Sequence, residues 1–429
     1  MKTSDCSWLG ANAPKELGAV DIELTVRGKP VSVPAQAYLR LLPDPSLVIE
    51  FKADDTGIFH AKDIGPGIRL LPEGVPFKVN ATAVSARYPA NKVRGTLIPL
   101  SQPCTVLRKA RQRLQAVRFS LINFPDFLGT QDLTVKDGKG ARRRSGRAQM
   151  TAGPWHIELA AVPNLKELNE TLKRDGGYAI AHIGTIRRTD GKTFGIKDAE
   201  HALESVRQFL SFARGGFCSP ALETGLNRHG ERVWQRWGAG NTLPWIYTSS
   251  WFDRMHGQLL SEVFPGFWDR YNDPAWKDTV VAALYWYLRS NAHGRGAGID
   301  GGLVLTQAGL ERLAHDLGHS GKSAAQRLCK ALKAAGIDTR LPSACRKIKR
   351  LAGKHGWRDG PHALTAIRNG LTHPVRGYEL LPTGALYEAW NLGQWYIELL
   401  LLHLFGHTGQ YGNRLTQKWR GQVVSVPWA

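Results

Sequence analysis

HALTAIRNGLTHP, His362 to Pro374, is the stretch on which the reading of the C-terminal half turns. Its apolar spacing predicts a short helix that Pro374 stops, because proline lacks an N–H and its ring crowds the preceding turn. Helical side chains advance about 100° per residue, so Asn369 and His373 share a face and Arg368 lies just beside them. One turn then offers a permanent cation that forks onto phosphate oxygens, an amide, and an imidazole that exchanges a proton near neutral pH. Such a set can hold a phosphodiester and move a proton beside it without a metal. The same residues have a plain structural reading: His373 satisfies carbonyls and the macrodipole at a helix C-terminus, and Arg368 is a solvated surface residue.

Working outward, the sequence from Asp273 onward has helical periodicity. Asp273-Pro274 reads as an N-cap and N1 proline ahead of a helix from Trp276 to Ala292 with Val280, Leu284 and Tyr287 on one stripe. Helices follow at Leu303 to Leu317 and at Lys322 to Ala335. A connector from Arg340 to Arg358, with seven Lys/Arg and no acid, leads to the helix of Arg368. The last helix, Thr383 to Phe405, has Thr383 as its cap. The pattern predicts a bundle of about five helices. Leu305 to Leu332 also has the outline of a helix-turn-helix, which would make the protein a DNA-binding regulator. Leu328, Cys329 and Leu332 look like packing positions, which favours the bundle.

An arginine, a polar residue and a histidine five positions after the arginine, on the penultimate helix of such a bundle, resemble the R-x(4–6)-H signature of the HEPN superfamily. WKDTVVAALYWYLRSNAHG, LVLTQAGLERLAHDLG and AIRNGLTHP resemble the Apea-like prokaryotic HEPN proteins linked to defence against phage, with a looser likeness at Ser211 to Gly215. The resemblance spans roughly residues 270–410. It implies a metal-independent endoribonuclease of antiphage or toxin-like role, with no cofactor, whose motifs from two subunits meet across a two-fold axis. The implied partners are RNA and a second copy docked through the C-terminal bundle. RNA carries its own nucleophile, the 2′-OH, so proton transfer and charge stabilisation at phosphorus suffice, leaving 2′,3′-cyclic phosphate ends. In that reading His373 is the general acid or base, Arg368 stabilises the phosphorane, and Asn369 orients phosphate or imidazole. Some members only bind nucleotide or protein, so a non-catalytic sensor is the further alternative.

Ahead of the helices the character differs. Asp21 to Val33 alternates about a turn at Gly28-Lys29, and short apolar pieces recur at Leu47–Phe51, Gly57–Ala61, Phe77–Val84 and Val93–Ile98, the spacing of an antiparallel sheet. Thirteen of fourteen tryptophans lie beyond residue 150, which places a boundary there. The fold class expected is α+β: a β-rich domain over 1–150 that could sense an activating ligand, a mixed segment over 151–270, and an all-α bundle over 271–429. In the middle segment Trp155–Val162 and Tyr178–Arg187 read as strands, and Asp198 reads as the cap of a helix that Gly215-Gly216 ends. The aromatic runs VWQRW, PWIYTSSWF and VFPGFWDRY read chiefly as core.

A net charge of +21 points to a polyanionic partner. Val106 to Gln149 holds eleven Lys/Arg against three acids, among them Arg142, Arg143 and Arg144 in ARRRSGR, read as a solvated Gly-rich loop or a phosphate-contacting arm. Arg346, Lys347, Lys349 and Arg350 form the second basic run and the second candidate for phosphate contact. Five scattered cysteines with no C-x-x-C pair predict reduced thiols rather than disulfides or zinc. His315/His319 and His403/His407 have one-turn spacing but lack the H-E-x-x-H glutamate, so no metal site is expected. No apolar run approaches the roughly 20 residues of a membrane span and no signal peptide is legible, which predicts a cytoplasmic protein without a membrane partner.

Overall fold

The alternating N-terminal stretch folds as it reads. In the computed structural model, which describes residues 9–26, 29–53, 67–68, 77–87, 92–129, 131–137, 140–292, 298–373 and 381–429, β1 (Lys15–Val26) pairs antiparallel with β2 (Lys29–Arg40), with Ile22 opposite Val33. Next come β3 (Ser46–Ala53), β4 (Gly67–Ile68), β5 (Phe77–Arg87) and β6 (Lys92–Pro99), and the sheet runs in the order β1-β2-β3-β6-β5-β4. The strand expected at Gly57–Ala61 and residue 28 of the expected turn lie outside the described residues. Val20, Ile22, Val33, Ala37, Leu47, Ile49 and Phe51 form one buried cluster. Glycine is needed opposite Phe51, since a Cβ on Gly95 would sit 2.2 Å from Phe51 Cζ.

The chain continues through β7 (Cys104–Arg108), β8 (Ala116–Ile122), β9 (Gln131–Asp137), β10 (Gly140–Ala152), β11 (Trp155–Ala161), α1 (Leu165–Asp175), β12 (Ile180–Arg188), α2 (Ile196–Arg214), β13 (Pro220–Leu226) and β14 (Arg232–Ala239). Two compact units emerge, and they interleave along the sequence: 1–126, 154–207 and 218–246 form the first, and 127–153, 208–217 and 247–429 the second. Within the first unit six strands run β7-β14-β13-β8-β12-β11. Helix α1, absent from the sequence expectations, buries Leu165, Leu168 and Leu172 against Val162 and Ala179. Asp198 sits inside the first turn of α2 and its Oδ2 accepts the Gly195 N–H at 2.9 Å, so it reaches back to the cap rather than being the cap.

Among the described residues the second unit holds the β9–β10 hairpin and seven helices: α3 (Gln258–Asn272), α4 (Lys277–Asn291), α5 (Gly298–Asp316), α6 (Ala324–Ala334), α7 (Arg346–His355), α8 (Gly360–Thr372) and α9 (Thr383–Leu404), then β15 (Gln410–Tyr411) and β16 (Val424–Ser425). Two more helices are present than the spacing predicted. VFPGFWDRY is inside α3, where Phe264, Phe267, Trp268 and Tyr271 are buried, and the basic connector contains α7. Asp273-Pro274 forms a turn just ahead of α4, with Asp273 Oδ1 accepting Ala275 N–H at 2.9 Å, and Thr383 is the first residue of α9 after the capping position of Pro382. ARRRSGR lies in β10, with Arg142, Arg143 and Arg144 opposite Val135, Thr134 and Leu133 of β9, so the run is a strand and not a loop.

Helix α9 is apolar nearly all round and forms the centre of this unit, as a helix without a polar face must. Two of its buried polar side chains reach across to neighbouring elements. Gln394 donates to Ser290 Oγ at 2.6 Å and Thr306 Oγ1 at 2.8 Å. Glu398 accepts from Tyr287 Oη at 2.6 Å and Arg414 Nη2 at 2.8 Å, and both members of that ion pair are fully buried. No helix among the described residues is long and apolar enough to cross a membrane.

Candidate nucleic-acid interface

Helix α8 starts where Asp359 accepts the His362 N–H at 2.8 Å, and it buries Ala363, Leu364 and Ile367. Arg368, next along, turns to α5 and pairs with Glu311. That carboxylate also accepts from Gln307 Nε2 at 3.1 Å and lies 3.6 Å from Arg327 Nη2 of α6. Arg368 therefore clamps three helices, with its side chain 21% exposed. His373 occupies the C-cap at φ −129°, ψ 82°, its N–H donating to Asn369 O at 2.9 Å, and its ring is exposed. His373 has left helical dihedrals while its N–H still closes the last turn on Asn369 O. The three residues are neighbours in chain, one held by an anion and one facing solvent.

Beside this stands α7. Ile348 and Ala352 are its buried stripe, while Arg346, Lys347, Lys349 and Arg350 are exposed and make no ion pair with a described residue. Its N-terminus is held by a neighbour's carboxylate: Glu388 of α9 accepts the N–H groups of Lys347 and Ile348 at 2.8 and 3.0 Å. Two arginines elsewhere in the unit are neutralised locally, Arg312 by Asp316 at 2.5 Å and Arg340 by Asp338 at 2.7 Å. The Arg340 guanidinium holds the Asp338 carboxyl below its ordinary value. The α7 face gathers four cations within five residues, with no such partner among the described residues.

A cavity of about 560 Å³ opens at the start of α7, lined by Cys345, Lys347, Thr383, Tyr387, Asn391 and Arg414 among others. Burial, with Glu388 adding to it, pushes the Cys345 thiol up to about 12, so it stays protonated at neutral pH and is no thiolate nucleophile. The described cysteines, Cys104, Cys218, Cys329 and Cys345, are all free thiols.

The helix-turn-helix outline corresponds to α5 and α6, but the start of α6 is committed internally. Gln326 Oε1 accepts the Lys322 N–H at 2.9 Å, and Arg327 donates to Gly321 O at 3.2 Å besides pairing with Glu311. Those are the positions a recognition helix presents to base edges. Leu328 and Leu332 are fully buried. Of the other basic candidates, Arg142, Arg143 and Arg144 are placed by their backbone in β10.

Residues 109–248 match the family description of the YopA central domain, and residues 273–425 match that of the YopA C-terminal domain. The chain is similar to YopA. A curated relative, the SPbeta prophage-derived uncharacterized protein YopA of Bacillus subtilis (strain 168), is 29% identical over 375 residues, covering 83% of this chain and 81% of its own. No solved structure matches. The YopA C-terminal match spans α4 to α9, and with it Arg368, the basic face of α7 and the Glu398–Arg414 pair. It overturns the HEPN resemblance, since no HEPN family matches and the helices that suggested it are those of the YopA C-terminal domain. Bundles of similar length place helices in similar order, and a six-residue pattern on one of them is too short to discriminate. The two-subunit composite site was implied by that resemblance alone and goes with it.

Sequence reasoning passed over Glu388, whose role depends on a contact 40 residues away, and did not pair Arg368 with Glu311. It also read the run PWIYTSSWF, which holds Tyr247, chiefly as core and gave Trp419 no role, although the two are 69% and 64% exposed. For Trp419 a signal was legible, its flanking cations Lys418 and Arg420.

Proposed function

We propose that this protein binds RNA through the cationic face of α7. The observation that carries the reading is the set Arg346, Lys347, Lys349 and Arg350: four cations on one solvated helical face, none in an ion pair with a described residue, in a chain of net charge +21. Cations so placed contact phosphate oxygens and release condensed counterions, which gives affinity without base recognition. The test is binding of a labelled RNA across a salt series, with DNA of the same sequence beside it. Affinity falls steeply with salt, and Lys349→Glu with Arg350→Glu lowers the log–log slope by about two. Salt-independent binding, or a slope unchanged in that variant, rejects the reading.

RNA cleavage is a second reading, favoured by the exposed His373 ring at the end of α8, one turn from Arg368. Its weakness is that the Arg368 guanidinium is engaged by Glu311. Incubation with RNA in EDTA decides it: cleavage leaving 2′,3′-cyclic phosphate ends, lost in His373→Ala, supports catalysis, and intact RNA dismisses it.

A further inference from the structure

Two loops of the second unit, 247–254 and 417–420, enclose a small groove of about 180 Å³ that neither basic run reaches. Its rim is unusual for a surface, since Tyr247 and Trp419 both line it and both stand out in solvent. Met255, 46% exposed, lies against Gly421 at the same end. Exposed rings on a soluble protein carry a hydration cost with no folding return, so an exposed pair lining one groove is the kind of patch that marks a contact surface. The groove is also cationic: Arg254, Lys418 and Arg420 line it against a single acid, Asp253, and the Arg254 guanidinium lies 5.9 Å over the Tyr247 ring.

The acid is turned inward and does a structural job. Asp253 Oδ2 accepts from Gln417 Nε2 at 2.6 Å and from the Gly421 N–H at 2.9 Å, and its Oδ1 accepts the Met255 N–H at 2.8 Å. One carboxylate thus ties both loops together. Below them Arg414 donates to Ser249 O at 2.6 Å, Ser250 Oγ donates to Ala213 O at 2.6 Å, and Thr248 Oγ1 donates to Arg214 O at 2.6 Å. The loops are anchored at their bases while the rings, Lys418 and Arg420 stand in solvent and Arg254 is half-buried, so the rings are held in place before anything binds.

Flat rings beside cations, in a groove the size of one ring system, suit a ligand that is planar and anionic. We infer that Tyr247 and Trp419 form a stacking clamp for an unpaired base of single-stranded nucleic acid, with Arg254, Lys418 and Arg420 taking the adjoining phosphates. The inference rests on the reading that the partner is nucleic acid, and it adds that the preferred form is single-stranded, because a base within a duplex has no free face to offer.

The experiment compares binding of one labelled 12-nucleotide RNA, alone and annealed to its complement, by wild type, Tyr247→Ala, Trp419→Ala, Trp419→Phe and the Lys349→Glu/Arg350→Glu variant. The expected result is tighter binding of the single strand by wild type. Each alanine variant should lose roughly ten-fold for the single strand and little for the duplex. Trp419→Phe keeps an aromatic face and should recover most of the loss. Both rings are exposed, so the alanine variants should melt with wild type, and a circular-dichroism melt confirms it. Single-strand affinity unchanged in both alanine variants, or lost equally for both RNA forms, overturns the clamp while leaving the α7 reading standing. If no RNA form binds wild type, the functional reading itself fails, and the clamp falls with it.

Discussion

Arg368 and Arg414 show how differently two guanidinium–carboxylate pairs behave. Arg368 is one-fifth exposed and shares Glu311 with Arg327 and Gln307, so losing it leaves the carboxylate still accompanied and near water. Arg368→Ala should therefore cost no more than about 1 kcal/mol in urea denaturation. Arg414 is fully buried against Glu398, with Tyr287, Ser249 and Asn291 around it. Arg414→Met strands a carboxylate in the core and should cost roughly 3–5 kcal/mol, whereas replacing Glu398 and Arg414 together with apolar residues should recover most of that. Equal losses in the single and double replacements would contradict this account. His182 gives the third residue-scale case. It is fully buried beside the edge of the Phe124 ring, and burial pulls its pKa from 6.5 down to about 3, with Asp126 acting weakly the other way. The unfolded chain takes up that proton first, so the stability tied to neutral His182 is complete above about pH 6.5 and is lost as pH falls toward 3. His182→Phe should flatten the fall of the urea midpoint between pH 7 and 5.

At the scale of elements, α7 is the informative case. Its intrinsic supports are thin: a buried stripe of two residues, no acid in the first turn, and Gly356 at φ +68° closing its C-terminus. Glu388 supplies the missing N-terminal anion from another helix. Glu388→Ala should cost about 1 kcal/mol and speed amide exchange in the first turn of α7 before any other helix of the unit. Because the cations of α7 depend on that helix for their common face, the same change should weaken RNA binding by a smaller factor than the charge reversals do. Unaltered exchange in α7 would mean that Glu388 contributes no cap.

For the whole molecule, charge and division matter together. The excess of 57 Lys/Arg over 36 Asp/Glu is spread through a chain whose two compact units interleave, so the units cannot be separated by one cut near residue 150 or 270. Expression of 151–429 alone should give an aggregating or protease-sensitive product, because it removes β1–β9 and most of β10 while keeping strands that pair with β8. Limited proteolysis of that fragment against the full chain checks it, and a fragment as resistant as the full chain would refute the division.

By itself the sequence determined the α+β class, the position of most helices and of β1–β3, β5, β6, β11 and β12, and the strongly basic charge, because hydrophobic period and net charge are properties of local composition. β11, β12, α4, α6, α8 and α9 all fall within a few residues of their expected places, while β1 and β2 run well beyond the expected Asp21–Val33. What only the tertiary structure decided was partnership. Whether Arg368 meets phosphate or Glu311, whether the run at Arg346 is a connector or a capped helix, and whether Tyr247 and Trp419 are core or rim all depend on residues distant in sequence. A side chain's charge and shape are written in its own position, but its neighbours are set by the packing of the entire chain, and function at a surface is a property of the neighbours.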